Sequence, residues 1–181
     1  MPELFFAARV LDWSSIFGPP KSQSCANIIA PTTTSFATTF SNRGSIDGSY
    51  ANFDDYDADA KEYSVSSSGN AISLYYGISG YGTGGYAPNT EKSNRFTSTS
   101  DGITFDFAFF QVDTGGDFLV FRTQDGQKYF FTGDLTGTRF SFSSSYVDVH
   151  FTTDGNDQEV GFDVQIINGY QANNDISNLQ V

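Results

Sequence analysis

An all-β fold, an antiparallel β-sandwich behind an N-terminal extension, is what this sequence predicts, and three observations predict it. Aromatic residues are abundant, with 19 Phe and 10 Tyr in 181 residues beside 18 Gly. Aromatic and β-branched side chains suit pleated, half-buried strands, and Gly and Ser suit the turns between them. The second half of the chain alternates apolar and polar residues in short, evenly spaced runs. No long stretch keeps a helical period, and Leu and Ala do not dominate, which argues against a helix bundle.

Residues 1–24 read differently from the rest, as an N-terminal arm or a short helix. Residues 3–17 could form an amphipathic helix with Leu4, Ala8, Leu11 and Ile16 near one face, stopped by Gly18-Pro19-Pro20. An extended arm that packs on another subunit is the equal alternative. Residues 25–181 then form one domain. Within it, 25–43 alternate weakly (Ile28, Ile29, Phe36, Phe40) and predict one or two strands. The run 71–78 predicts another. Residues 77–85 form a Gly/Tyr loop without the Gly-Lys-Ser/Thr and following helix of a phosphate cradle.

From residue 103 the pattern sharpens. Ile103, Phe105, Phe107 and Phe109 alternate with Thr104, Asp106 and Ala108, so that one face is expected to be apolar. The run 118–121 is followed by the turn signal Gln124-Asp125-Gly126-Gln127 and then by Tyr129-Phe130-Phe131. Phe140 and Phe142 alternate next, then Val147, Val149 and Phe151, then Phe162, Val164 and Ile166. Short strands separated by Gly/Asp turns predict an antiparallel sandwich.

Charge narrows the function. The net charge is −12, and nine Lys plus Arg are scattered singly. That leaves no basic face for nucleic acid, and an anionic membrane surface would repel the chain. An acidic surface suits calcium, basic partners or plain solubility. The single cysteine, Cys25, permits no intramolecular disulfide. No apolar stretch of about 20 residues predicts a membrane span. The apolar run 1–17 carries Glu3, Arg9 and Asp12, unlike a secretory leader.

Two stretches carry a specific likeness. One is ITFDFAFFQVD (103–113) with GGDFLVF (115–121); the other is VDVHFTTDGN (147–156) with GFDVQI (161–166). In order and spacing they resemble the central and closing parts of a CUB domain, and Gly44-Ser45-Ile46 and 50–65 look more loosely like its opening strands. The resemblance covers roughly 103–166 and implies a jelly-roll, CUB-like sandwich, with the region around 66–102 an enlarged Gly/Tyr-rich loop. It also implies an extracellular or cell-surface setting. In calcium-binding members of the family, acidic residues from three places meet at one end of the sandwich. Carried over by position these are Asp113, Asp117 and Asp154, with Asn156 two residues beyond. Calcium is a hard cation that takes about six to eight oxygens, and three carboxylates offset its charge. The alternative is that these are turn aspartates capping backbone N–H groups. Departures from the family are the absence of disulfides and the shorter Asp113 where Glu is common.

Other chemistry is poorly represented. His150 is the only histidine. The alternation puts it on the polar face, where a satisfied surface histidine is expected rather than a catalytic base. No Gly-x-Ser-x-Gly elbow accompanies it, and one His with one Cys makes no zinc set. The acidic run Asp55, Asp57, Asp59 lacks the Gly and distal Glu of an EF-hand loop. The resulting expectation is a non-enzymatic, calcium-binding interaction module. Its calcium-ordered loops would grip a protein partner, often through a partner lysine, and residues 1–43 would mediate assembly with copies of itself. The alternative is a calcium-stabilised carbohydrate-binding module, with exposed Tyr81 and Tyr86 stacking on sugar rings.

Overall fold

The computed structural model describes residues 36–46, 50–52, 60–65, 71–77 and 85–171, with the backbone path alone given at 42–46 and 50–52. Among these residues the chain forms twelve strands and no helix. In order they are β1 (Ser41–Ile46), β2 (Tyr50–Asn52), β3 (Lys61–Val65), β4 (Ile72–Tyr76), β5 (Glu91–Ser98), β6 (Ile103–Val112), β7 (Phe118–Thr123), β8 (Lys128–Phe131), β9 (Gly133–Asp134), β10 (Thr138–Phe142), β11 (Tyr146–Thr152) and β12 (Gly161–Asn168). The first sheet has the order β1-β3-β5-β11-β7-β8, and the second β10-β6-β12-β4-β2, with β9 pairing to β6. This is the predicted all-β sandwich.

The two sheets are not antiparallel throughout. β1, β3 and β5 run parallel, as do β2 and β4. From β1 to β7 the chain changes sheet at every step. If each crossing reverses its direction, a strand reached by crossing over and back must point the same way as the one it left. The remaining pairs are antiparallel. The sequence expectation holds for the centre of the sandwich and is corrected at these edges.

The core is aromatic. Phe96, Phe105, Phe107, Phe110, Phe118, Phe121, Phe151 and Phe162 are all fully buried. Phe105 of β6 meets Phe121 of the facing sheet with ring centroids 4.4 Å apart, and Phe107 meets Phe131 at 5.3 Å. Each such side chain contributes about 1.5–3 kcal/mol by leaving water, which lets a chain without disulfides hold together.

Two strand expectations need correction. Phe109 was expected on the apolar face with Phe107. Instead β6 carries a bulge, because its partner β12 sets Asp163 opposite Phe109 and the next residue, Val164, opposite Phe107. Ala108 is the extra residue, and it is exposed. One extra residue inverts every side chain beyond it. The inward set therefore passes from Ile103, Phe105 and Phe107 to Phe110 and Val112, and Phe109 is only half-buried. The second correction is β5, an inner strand of the first sheet inside a region expected to be enlarged loop. Its text is polar because only Asn94 and Phe96 are fully buried, and its Arg95 is paired on the outer face.

Of the strands expected over 25–43, only the part from residue 36 can be compared. Residues 25–35 lie outside the described residues, and among the described ones strand begins at Ser41. Residues 36–40 form a strap on the outer face of the first sheet. Phe36 packs on Phe118 and Val120 of β7, and Phe40 lies against Arg95 of β5. The strap buries a polar row beneath it. Asp148 is 1% exposed and receives Arg95 at 2.6 Å from β5 and Arg122 at 2.6 Å from β7. His150 is 2% exposed, with the Phe36 ring 5.4 Å away. The surface histidine expected from alternation is thus a buried one, because the chain's own strap covers the polar face.

Candidate functional site

Three strand ends bring the predicted aspartates together. Asp113 follows the last residue of β6, Asp117 precedes the first of β7, and Asp154 lies two past the end of β11. The pairing of Thr152 with Phe118 in the β11–β7 ladder sets the last two side by side. The bulge at Ala108 fixes the phase in which β6 ends, with Val112 inward and Asp113 at the rim.

Asp117 is the centre of the arrangement. It has no solvent exposure, and its two carboxylate oxygens each accept one hydrogen bond. The Tyr86 hydroxyl donates to Oδ2 at 2.6 Å, and the backbone N–H of Asp154 donates to Oδ1 at 2.7 Å. The same Tyr86 oxygen accepts the backbone N–H of Asp113 at 2.9 Å. Tyr86 thus ties all three segments into one network. Its ring, 3% exposed, stands edge-on to Phe151 at 5.1 Å.

The periphery is held by turns. Asp113 Oδ2 accepts Gly115 N–H at 2.6 Å, and Thr132 donates to the Asp113 carbonyl at 2.7 Å. Asp154 Oδ1 accepts Asn156 N–H at 2.7 Å, and the Asp154 carbonyl accepts Asn89 N–H at 2.8 Å. Gly116 lies directly under the Asp154 carboxylate, where a Cβ would overlap Oδ2. A side chain at 116 would fill the place that carboxylate takes.

Burial raises the Asp117 carboxyl above its ordinary range. The hydrogen bonds from Tyr86 and Asp154 work against that, and the negative charges of Asp154 and Asp113 reinforce it. Burial also pushes the Tyr86 phenol far above its usual value, which keeps the hydroxyl protonated as a donor.

Carboxylate oxygens are the kind of donor that a hard divalent cation takes. A buried carboxylate is flanked by two more whose charges it feels, and Asp113 Oδ1 and Asp154 Oδ2 take no hydrogen bond among the described residues. It is not a closed cage, because no three acidic, imidazole or thiol side chains among the described residues converge as a ready ligand group. Asn156 enters the network through its backbone N–H.

Two other expectations fall elsewhere. Tyr86 was expected exposed, as a platform for sugar; burial of its ring and use of its hydroxyl by Asp117 remove it from that role. Sequence reasoning read it as a loop aromatic because it follows two glycines. Tyr81, Cys25 and the run Asp55, Asp57, Asp59 lie outside the described residues. Ser93 Oγ lies 2.7 Å from His150 Nδ1, a nucleophile-base pairing by residue type. The base is buried under Phe36, and no carboxylate orients it, since Nε2 has no hydrogen-bond partner among the described residues. That pair lacks both the access and the third member that nucleophilic catalysis requires.

No family model matches the sequence, and no curated protein matches it. Several solved structures are similar. The full extracellular region of zebrafish Gpr126/Adgrg6 aligns at a TM-score of 0.51 and 15% identity, over 62% of this chain and 15% of that one. The CUB1-EGF-CUB2 domains of rat MASP-1 align at 0.48 and 18%, over 60% of this chain and 42% of that one. The MASP-1 CUB2 domain bound to Ca2+ aligns at 0.46 and 13%, over 57% and 96%. This chain thus spans less than half the length of the first two. At these identities the likeness is one of β-sandwich fold alone.

Proposed function

We propose that the chain is an extracellular protein-interaction module that takes a calcium ion at the end of the sandwich that carries Asp113, Asp117 and Asp154, the ion drawing their carboxylates together. The observation that carries this reading is the burial of Asp117 between two further carboxylates. Burial, with the charges of Asp154 and Asp113 added to it, disfavours the ionised form of Asp117, and a divalent cation would offset that cost. Asp113, Asp117 and Asp154 would supply side-chain oxygen, with Asn156 at the rim. A bound ion would tie the 113–117 turn to the 154–156 turn and leave an ordered acidic end suited to a basic side chain of a protein partner.

The test is thermal unfolding against calcium concentration. Binding to the folded state alone at 100 times Kd stabilises by about 2.7 kcal/mol, or roughly 5–10 °C for a domain of this size. The rise should be absent in Asp117→Asn and Asp154→Asn. A melting temperature that ignores calcium, or a rise that survives both substitutions, overturns the assignment.

Self-assembly is a finer part of the same proposal. The expected exchange of residues 1–43 narrows, since Phe36 already packs on the chain's own sheet and β1 already pairs with β3. Residues before 36, with Leu4, Phe5, Phe6, Val10, Leu11 and Trp13, remain for contact with another copy. Light scattering on the full chain and on a chain starting at residue 36 should show an assembly only in the first. Monomers in both would end this part of the reading.

A further inference from the structure

The only histidine of the chain is sealed beneath the strap, outside the acidic site. His150 stands on the outer face of β11, 2% exposed. Its Nδ1 shares a hydrogen bond with Ser93 of β5 at 2.7 Å, and Nε2 has no partner among the described residues. The Phe36 ring lies 5.4 Å from the imidazole, tilted by 48°. On its other contacts Phe36 covers Val120 and Phe118, takes the Arg122 guanidinium at 4.2 Å, and has the Lys128 ammonium at 5.8 Å.

We infer that residues 36–40 are a pH-operated latch, closed over a neutral His150 and released when that imidazole takes a proton.

The argument rests on what a second proton would meet. In either neutral tautomer one ring nitrogen is served by Ser93. The imidazolium needs two acceptors, and Nε2 faces none among the described residues. Burial is what opposes the proton most, and the charged groups around the ring, among the described residues, supply no acceptor for Nε2. Arg122 and Lys128 bring positive charge to the same Phe36 ring. Asp148, the nearby acid on β11, is already engaged by Arg95 and Arg122. Glu91 of β5 is the one acid whose charge favours the proton, and it does not outweigh burial, so the imidazole lies below its ordinary value of 6.5. A charged group without a partner is costly to keep from water. Lifting Phe36 admits water to Nε2 and removes that cost.

The sign follows. The closed form holds fewer protons than the open form between its depressed value and 6.5. Closure is therefore complete above about 6.5 and weakens as pH falls below it, by up to about tenfold per pH unit inside that window. Opening uncovers Phe118, Val120 and His150 beside Phe130 of β8, whose ring stands 6.2 Å from Phe118 and is already 37% exposed.

A chain with one histidine gives one imidazole NMR signal, so the titration is unambiguous. His150 should titrate below 6.5 in the intact protein, and Phe36→Ala should move the midpoint up toward 6.5. Hydrogen exchange, corrected for its intrinsic pH dependence, should show the Ser41 amide at the foot of the strap, bonded to the Ala60 carbonyl at 2.8 Å, losing protection as pH falls from 7.5 to 5 while β12 amides stay protected. In His150→Gln that loss should vanish. Titration at 6.5 in the intact protein, a midpoint unmoved by Phe36→Ala, or strap protection that does not change with pH would each overturn the latch. The first two need no substitution at His150.

Discussion

The Tyr86 hydroxyl sits between Asp117 and the backbone of Asp113, donating to Asp117 Oδ2 at 2.6 Å and accepting Asp113 N–H at 2.9 Å. One phenol oxygen therefore orders a buried carboxylate and the end of β6 together. Tyr86→Phe keeps the ring on Phe151 and removes only this oxygen. Both Asp117 Oδ2 and Asp113 N–H then lose a partner, and a hydrogen bond to a charged group is worth about 1.5–3 kcal/mol. Urea unfolding should show a loss of about 2–4 kcal/mol. A loss below about 0.5 kcal/mol would mean that the oxygen is dispensable.

Asp117 also sets a pH dependence, with a sign that can be worked out. Its folded value is raised above the ordinary carboxyl value of 3.8. The folded state then binds more protons than the unfolded one between those two values. The stability this contributes is full below about 3.8 and is lost as pH rises through the raised value. With a chelator present, Asp117→Asn should compare worst with the parent at low pH and improve relative to it as pH rises. Calcium added at neutral pH should restore the parent's advantage. Unfolding curves from pH 3.5 to 7.5 check this, and a disadvantage that grows with pH in chelator would contradict it.

How much of this could be read from the sequence follows from which interactions are local. The alternation of β11 and β12 is a period-two signal, and it placed their inward residues Val147, Val149, Phe151, Phe162, Val164 and Ile166 correctly. The three aspartates at strand ends were visible by position in the chain. Tyr86, 31 residues from Asp117, was not, because only the fold brings it there. The phase change at Ala108 was invisible for the same kind of reason. A bulge is set by the partner strand, and β12 carries no mark of it. β5 was missed because its outward charge, Arg95, is neutralised across the sheet by Asp148 and not within its own segment. His150 read as exposed because alternation says which face a residue is on, not what lies over that face.

The covered face yields a further prediction. Asp148 is held by both Arg95 and Arg122 and is 1% exposed, while their side chains remain 25% and 31% exposed. Asp148→Asn leaves two guanidinium groups stacked under Phe36, Phe40 and Tyr146 without their acid. Removing one partner of a fully buried pair costs about 3–5 kcal/mol. Water reaches both arginines here, so we expect about 2–3 kcal/mol by chemical denaturation. A double substitution of both arginines with Asp148 kept should cost more, since the buried carboxylate would then stand alone. The reverse order would show that the arginines, not the acid, are the groups that suffer from burial.

Gly116 separates the geometry of the acidic end from its stability. A Cβ there would overlap Asp154 Oδ2, an oxygen free of hydrogen bonds among the described residues. In Gly116→Ala the Asp154 carboxylate must turn away, while its backbone N–H can still reach Asp117 Oδ1. Stability without calcium should therefore change by less than about 1 kcal/mol, since no core contact or buried hydrogen bond is lost. The calcium-dependent rise in melting temperature should shrink toward that of Asp154→Asn, because one carboxylate has left the cluster. Paired melts in chelator and in calcium read the two effects separately. A full calcium response in Gly116→Ala would show that the Asp154 side chain is not a ligand, whatever the effect of Asp117→Asn.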